Sequence, residues 1–150
     1  MNQDKVMKRR MITAIVLMLV SFIALAIFIG LYLDETTHVQ DTYKKQYRTE
    51  IGHVLTEIDI YLEPEGDHEL IYRRVTNYMS NAGAFAFLID DFTEKQIIVN
   101  EVSTALIRYP DQMKEKMEEL KTALSDINSE LDKGYDELKE LYESLDLKGN

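Results

Sequence analysis

Twenty-three consecutive residues, Met11 to Leu33, carry no charge (MITAIVLMLVSFIALAIFIGLYL). No other feature restricts the possible folds so severely. As a helix rising about 1.5 Å per residue the run is about 35 Å long, enough to cross a hydrocarbon core of about 30 Å with some tilt. Only Thr13, Ser21, Gly30 and Tyr32 are not plainly apolar. Short hydroxyl side chains bond back to their own helix and are tolerated, and Tyr32 stands at the outer edge, where an aromatic ring with a polar tip suits the headgroup level. A cleaved signal peptide is the competing reading, and Ala24-Leu25-Ala26 has the required small-x-small form. However, Ile27, Phe28, Ile29, Leu31 and Leu33 carry the apolar run past it, which favours an uncleaved signal anchor. Ala26 and Gly30 make a small-xxx-small pair of the kind that lets two spans approach.

Charge divides around this run. Residues 1–10 hold Lys5, Lys8, Arg9 and Arg10 against Asp4, a net of +3, and residues 34–150 carry −13. Bases flanking a span stay on the cytoplasmic side. The expected plan is therefore a cytoplasmic basic stub over 1–10, a transmembrane signal-anchor helix over 11–33 and an extracytoplasmic domain over 34–150. The acidic balance excludes a nucleic-acid partner, which needs a basic surface. The absence of cysteine excludes disulfides, thiolate metal sites and a cysteine nucleophile. No Asn-x-Ser/Thr sequon occurs, which is compatible with a bacterial cell surface.

The acidic part reads as helices. Val39, Tyr43, Tyr47, Ile51, Val54, Ile58 and Tyr61 recur at steps of four and three, a helical stripe over 35–62. No breaker separates this stripe from the span. Glu63-Pro64-Glu65-Gly66-Asp67 ends it, and Asp67 is placed to cap the next helix. From Ile71 a heptad register runs to the end. One column is Ile71, Tyr78, Phe85, Phe92, Val99, Leu106, Met113, Leu120, Ile127, Gly134, Leu141, and the other is Val75, Ala82, Ile89, Gln96, Ser103, Pro110, Met117, Leu124, Leu131, Leu138, Leu145. The register passes through two local breakers, Asn81-Ala82-Gly83 and Pro110. The predicted helices are 35–62, 68–80, 84–109 and 111–146. A turn is expected at Arg108–Asp111, with Pro110 at a first helical position, where it costs little; in a helix interior it would kink the chain. Segment 84–109 carries more apolar residues than one stripe needs (Phe87, Leu88, Ile97, Ile98, Val102 and Ile107 lie off the register), which points to a central helix. A β-hairpin of 85–89 with 96–100 is the rival there, because apolar runs this short do not separate strand from helix.

The fold class that follows is all-α: one N-terminal transmembrane helix, then an antiparallel helical bundle or coiled coil. Met117, Leu120, Leu124, Ile127, Leu131, Leu138 and Leu141 are the candidate interaction seam. The flanking charges, Lys116 and Lys121 early and Glu130 and Glu137 late, favour an antiparallel neighbour, with 111–146 laid on 84–109 of the same chain.

Chemical constellations are few. Each histidine follows a glutamate by three residues (Glu35/His38, Glu50/His53, Glu65/His68), a spacing used in di-iron bundles. Two of these copies share one helix and the third lies in a turn, where they do not converge on a metal. Arg73 and Arg74 are expected to pair with nearby carboxylates. No P-loop, nucleophile elbow, dinucleotide or EF-hand pattern occurs. No cofactor and no catalytic set are expected. The function expected is a single-pass, membrane-anchored interaction or structural protein that assembles with membrane or envelope partners, with homo-oligomers among the options. The alternative is an extracytoplasmic sensing module with a ligand pocket between helices, in which Gln96 and Ser103 are the candidate polar groups, acting through a membrane partner. An anchor followed by a helical domain is a plan shared by unrelated proteins, so the plan alone names no activity.

Overall fold

The structure, a computed structural model, describes residues 3–146. Of these 86% are helical and none lies in a strand, so the hairpin over 85–100 does not form. The elements are α1 (Gln3–Leu62), α2 (His68–Phe87), α3 (Thr93–Arg108), α4 (Pro110–Glu115), α5 (Met117–Ser129) and α6 (Tyr135–Glu143). The chain divides into two compact units between Val39 and Gln40.

The first unit is α1 through Val39. It contains the one helical stretch among the described residues that is long and apolar enough to cross a membrane. Its serine and threonine hydroxyls are satisfied within the helix: Thr13 donates to the Arg9 carbonyl and Ser21 to the Leu17 carbonyl, each at 2.9 Å, and Thr36 and Thr37 do the same one turn back.

The second unit, from Gln40 on, is built around one apolar core. Tyr47, Ile51, Val54 and Ile58 of α1 are fully buried there, the stripe the four-and-three spacing predicts. They meet Val75, Met79 and Ala82 of α2, Val99, Val102 and Leu106 of α3, Met113 of α4, Leu120, Leu124 and Ile127 of α5, and Leu138 and Leu141 of α6. Contacts set the helix directions. Asn81 bonds Glu50 at 3.3 Å and Arg74 pairs with Glu57 at 3.7 Å, so α2 runs antiparallel to α1. Ser80 bonds Ser103 at 3.1 Å, and the Tyr72 hydroxyl donates to the Leu106 carbonyl at 2.7 Å, so α3 returns along α2. Arg48 donates to the Ser129 carbonyl at 3.4 Å and Lys121 pairs with Asp59 at 2.6 Å, which makes α5 antiparallel to α1.

Element boundaries differ from expectation in three places. The break at 81–83 is absent, and α2 continues to Phe87. Asn81 lies on the exposed side and is held by Glu50, Ala82 is in the core, and Gly83 keeps a negative φ. Packing on both sides of Gly83 outweighs the roughly 1 kcal/mol that glycine costs in a helix. The turn falls instead at 88–92, where Gln40 clamps it, its amide nitrogen donating to the Leu88 carbonyl at 3.3 Å and its amide oxygen accepting from the Asp90 N–H at 3.1 Å. The single helix expected over 111–146 is three helices, broken at Lys116 and at 130–134. Consequently 111–146 does not lie along 84–109 as one rod: α3 packs on α2, α6 and α4, while α5 packs on α6 and is tied to α1.

Other expectations hold. Asp67 caps α2, its carboxylate accepting from the Leu70 N–H at 3.1 Å. The chain turns at Tyr109, and Pro110 opens α4. The heptad columns also hold: every member of both is buried or partly buried, although four breaks interrupt the helices. Gly134, the weak member of its column, is buried with φ +84° at the N-cap of α6. A Cβ there would lie 2.3 Å from the Ala123 carbonyl oxygen and 2.9 Å from Ile127 Cγ1. Glycine is required twice over, by the backbone and by the space.

Gly134→Ala should therefore lower stability by about 3 kcal/mol. Gly52→Ala, in mid-helix with nothing within 4 Å of the added carbon, should raise it by about 0.5–1 kcal/mol. Denaturant titration of the full chain in detergent micelles, followed by circular dichroism, measures both, and equal effects at the two glycines would contradict the packing around Gly134.

Candidate functional site

Six of the seven seam candidates, Met117, Leu120, Leu124, Ile127, Leu138 and Leu141, are buried in the core of the same chain, and Leu131 is partly buried beside them. They build the domain and present no face to a partner. Among the described residues no group of three or more histidines, aspartates or glutamates gathers as a metal site. His53 rests on the Tyr78 ring with centroids 4.9 Å apart, 3.9 Å from Glu50, and His68 packs edge-on to Tyr61 at 5.3 Å. Arg73 pairs with Glu69 at 3.9 Å and Arg74 with Glu57.

A polar and aromatic cluster closes the end of the core near the two long turns. The Tyr47 and Tyr135 hydroxyls bond each other at 3.2 Å, and Phe92 sets its ring edge-on to both. Lys95 extends over the Phe92 ring, 4.7 Å from its centroid, donates to the Leu131 carbonyl at 3.4 Å and pairs with Asp132. Lys95 holds the Asp132 carboxyl below the usual carboxylate range. Burial pushes the Tyr135 phenol up to about 12, partly offset by its bond to Tyr47. Burial likewise raises Tyr47 well above the ordinary phenol value, and Tyr72 beside Leu106. Each partner in this cluster is accounted for within the fold, so it locks the 130–134 turn onto α3 and has no free group for chemistry.

An open cleft of about 920 Å³ between α3 and α6 is lined mainly by charged side chains, and a second, more apolar open surface lies on the other side of α3, between it and α2. An outward groove of about 740 Å³ runs between them. From α2 it takes Ser80, Gly83, Ala84 and Phe87, and from α3 Ile97, Asn100, Thr104 and Ile107, each set at steps of three and four. Both helices thus carry a second stripe besides the one in the core. Phe87 is 74% exposed, Ile107 63% and Ile97 54%. The off-register apolar residues of this segment therefore divide: Ile98 and Val102 enter the core, whereas Phe87, Leu88, Ile97 and Ile107 face outward. Segment 84–109 is central on one side only. At the base of the groove Ser103 is buried and bonded to Ser80, and Gln96 keeps its amide oxygen buried with no hydrogen-bond partner among the described residues. The two seam residues singled out for their polarity thus share one groove. The three apolar side chains were visible in the sequence as an excess over one stripe, but periodicity alone does not say on which side of a helix an excess will be left uncovered.

No family model, no curated protein and no solved structure shows a significant match to the chain.

The raised phenols set an alkaline limit. A tyrosine kept neutral in the fold adds no cost below about pH 10, where the unfolded chain is also neutral, and destabilises the fold as pH rises from there through its folded value. Tyr47, Tyr72 and Tyr135, three of the nine tyrosines, should stay un-ionised at about pH 10 and ionise only as helical dichroism is lost. Absorbance at 295 nm recorded with circular dichroism from pH 8 to 13 tests this. A full tyrosine titration centred near pH 10 with the helices intact would refute it.

Proposed function

We propose that this chain is a single-pass, membrane-anchored interaction protein. Residues 11–33 span the bilayer, the basic amino end is cytoplasmic, and the chain from residue 34 on is extracytoplasmic, its described part forming an antiparallel helical bundle that docks a protein partner. One observation carries the anchor: the uncharged run leaves every large apolar side chain from Met11 to Leu33 about half exposed or more. A core helix of a water-soluble fold would bury them. A patch of this size in water is untenable, whereas lipid accepts it without further cost. The Thr13 and Ser21 hydroxyls are bonded within the helix and are not left to be desolvated unpaired, and Tyr32 stands at the edge of the run. Orientation rests on Lys8, Arg9 and Arg10 at one end against Asp34 and Glu35 at the other.

The docking role rests on the α2–α3 groove, an apolar and weakly charged strip on a strongly acidic unit. Its hydroxyls are Ser80, Ser103 and Thr104, and no histidine lines it, so the reading is of binding and not catalysis. A second reading, a small-ligand sensor acting through a membrane partner, draws on the same groove through the unpartnered Gln96 amide oxygen. A small molecule that donates a hydrogen bond to Gln96 and raises the melting temperature, with the effect lost in Gln96→Leu, would favour it.

The topology is tested with a carboxyl-terminal tag. Protease added to spheroplasts should remove the tag while the membrane is intact, and a tag protected until lysis would overturn the orientation. Lys8, Arg9 and Arg10 all changed to Glu should leave part of the population protected.

A further inference from the structure

We infer that the partner of the α2–α3 groove is a second copy of this chain, seated about a two-fold axis with its α3 antiparallel to the first. This deepens the proposed docking role by naming the occupant. The argument is electrostatic. The outward stripe of α3 reads Glu94, Ile97, Glu101, Thr104, Arg108 at steps of three and four. It carries an acid at one end, a base at the other and an acid at its centre. Among the described residues neither Glu94 nor Arg108 is ion-paired, and about 21 Å of helix separates them, so they do not pair within one chain. Such a stripe is self-complementary only when reversed. In an antiparallel α3–α3 contact Glu94 of each copy faces Arg108 of the other, which is the isologous arrangement a two-fold dimer requires.

The rest of the groove fits the same occupant. Phe87, Ile97 and Ile107 protrude, while Gly83 and Ala84 leave room, with nothing within 4 Å of a carbon added at Gly83. One copy thus offers both the knobs and the spaces that receive them. Residues 34–150 carry a charge of −13, so two copies repel over most of their surface, and repulsion is weakest along the α2–α3 groove, whose lining holds Glu101 as its one charged group. Lipid is a poorer occupant, because Gln96, Asn100 and Thr104 would lose water without gaining partners. The arrangement places Glu101 of each copy near the axis, the one unfavourable contact it creates.

That contact and the two ion pairs give the test. The full chain is taken in detergent micelles and in lipid nanodiscs, and association is measured by sedimentation. Glu94→Arg and Arg108→Glu should each weaken the dimer about tenfold, because each turns two attractions into two repulsions. The double variant, with both pairs reversed, should restore it, and Glu101→Gln should tighten it. Because the chain has no native cysteine, Glu101→Cys should cross-link efficiently on oxidation and Thr49→Cys should not. A monomeric full chain, a dimer indifferent to all three charge changes, or a double variant no better than the singles would overturn the inference; indifference would also be the result if the Ala26/Gly30 face alone drove association. Flotation of the same samples with liposomes reports separately on the anchor, so a failed anchor and a failed dimer are told apart.

Discussion

An uncharged run of 23 residues and a domain of charge −13 cannot both be satisfied by one solvent. Every other property of the chain follows from how that conflict is resolved. Apolar surface leaves water with a gain of about 25 cal/mol per Å², so a run this long must find either a core to enter or a lipid phase. The core of the second unit does not accept it: it is already filled by α2 to α6 and by four residues of α1 beyond the run, Tyr47, Ile51, Val54 and Ile58. The proposed membrane anchor is the remaining outlet. With the run assigned to lipid, the acidic part folds on its own seven-residue pattern.

That pattern is the main lesson about legibility. The two heptad columns can be read from Ile71 to Leu145, and the structure keeps each member at least partly buried although breaks fall at 88–92, 109, 116 and 130–134. Turns that preserve phase let successive helices return to one core, so the register marks burial even though no single helix continues. Pro110 and the Asp67 cap were legible for local reasons: one lacks an N–H and the other accepts one. Gly134 looked like a flaw in its column. It is the residue that allows α6 to close on α5, because only a residue without Cβ fits against the Ala123 carbonyl.

What was not legible depended on distant partners. The helix break was expected at Asn81-Ala82-Gly83 because asparagine and glycine weaken helices locally. Glu50, 31 residues earlier, holds Asn81, and burial of Ala82 and Ala86 in the core keeps the helix intact. The Tyr47–Tyr135 bond joins residues 88 apart in sequence. The charge pattern of 111–146 calls for α3 as its neighbour, but Lys121 pairs with Asp59 of α1 and Arg48 of α1 donates to the Ser129 carbonyl, so it is α1 that runs antiparallel to α5. The seam leucines were apolar in the right phase, yet phase does not distinguish a core from an interface. The groove became visible only once the core had claimed Ile98 and Val102 and left Phe87, Ile97 and Ile107 outside.

The claim on which the account rests is that the chain uses two solvents, lipid for 11–33 and water for the packed unit. A photoactivatable carbene probe confined to the bilayer tests it directly. With the full chain in liposomes, followed by proteolysis and mass spectrometry, label should concentrate in peptides from 11–33 and be nearly absent from 40–146. Peptides from 11–33 that stay unlabelled, or label spread evenly over both parts, would contradict it.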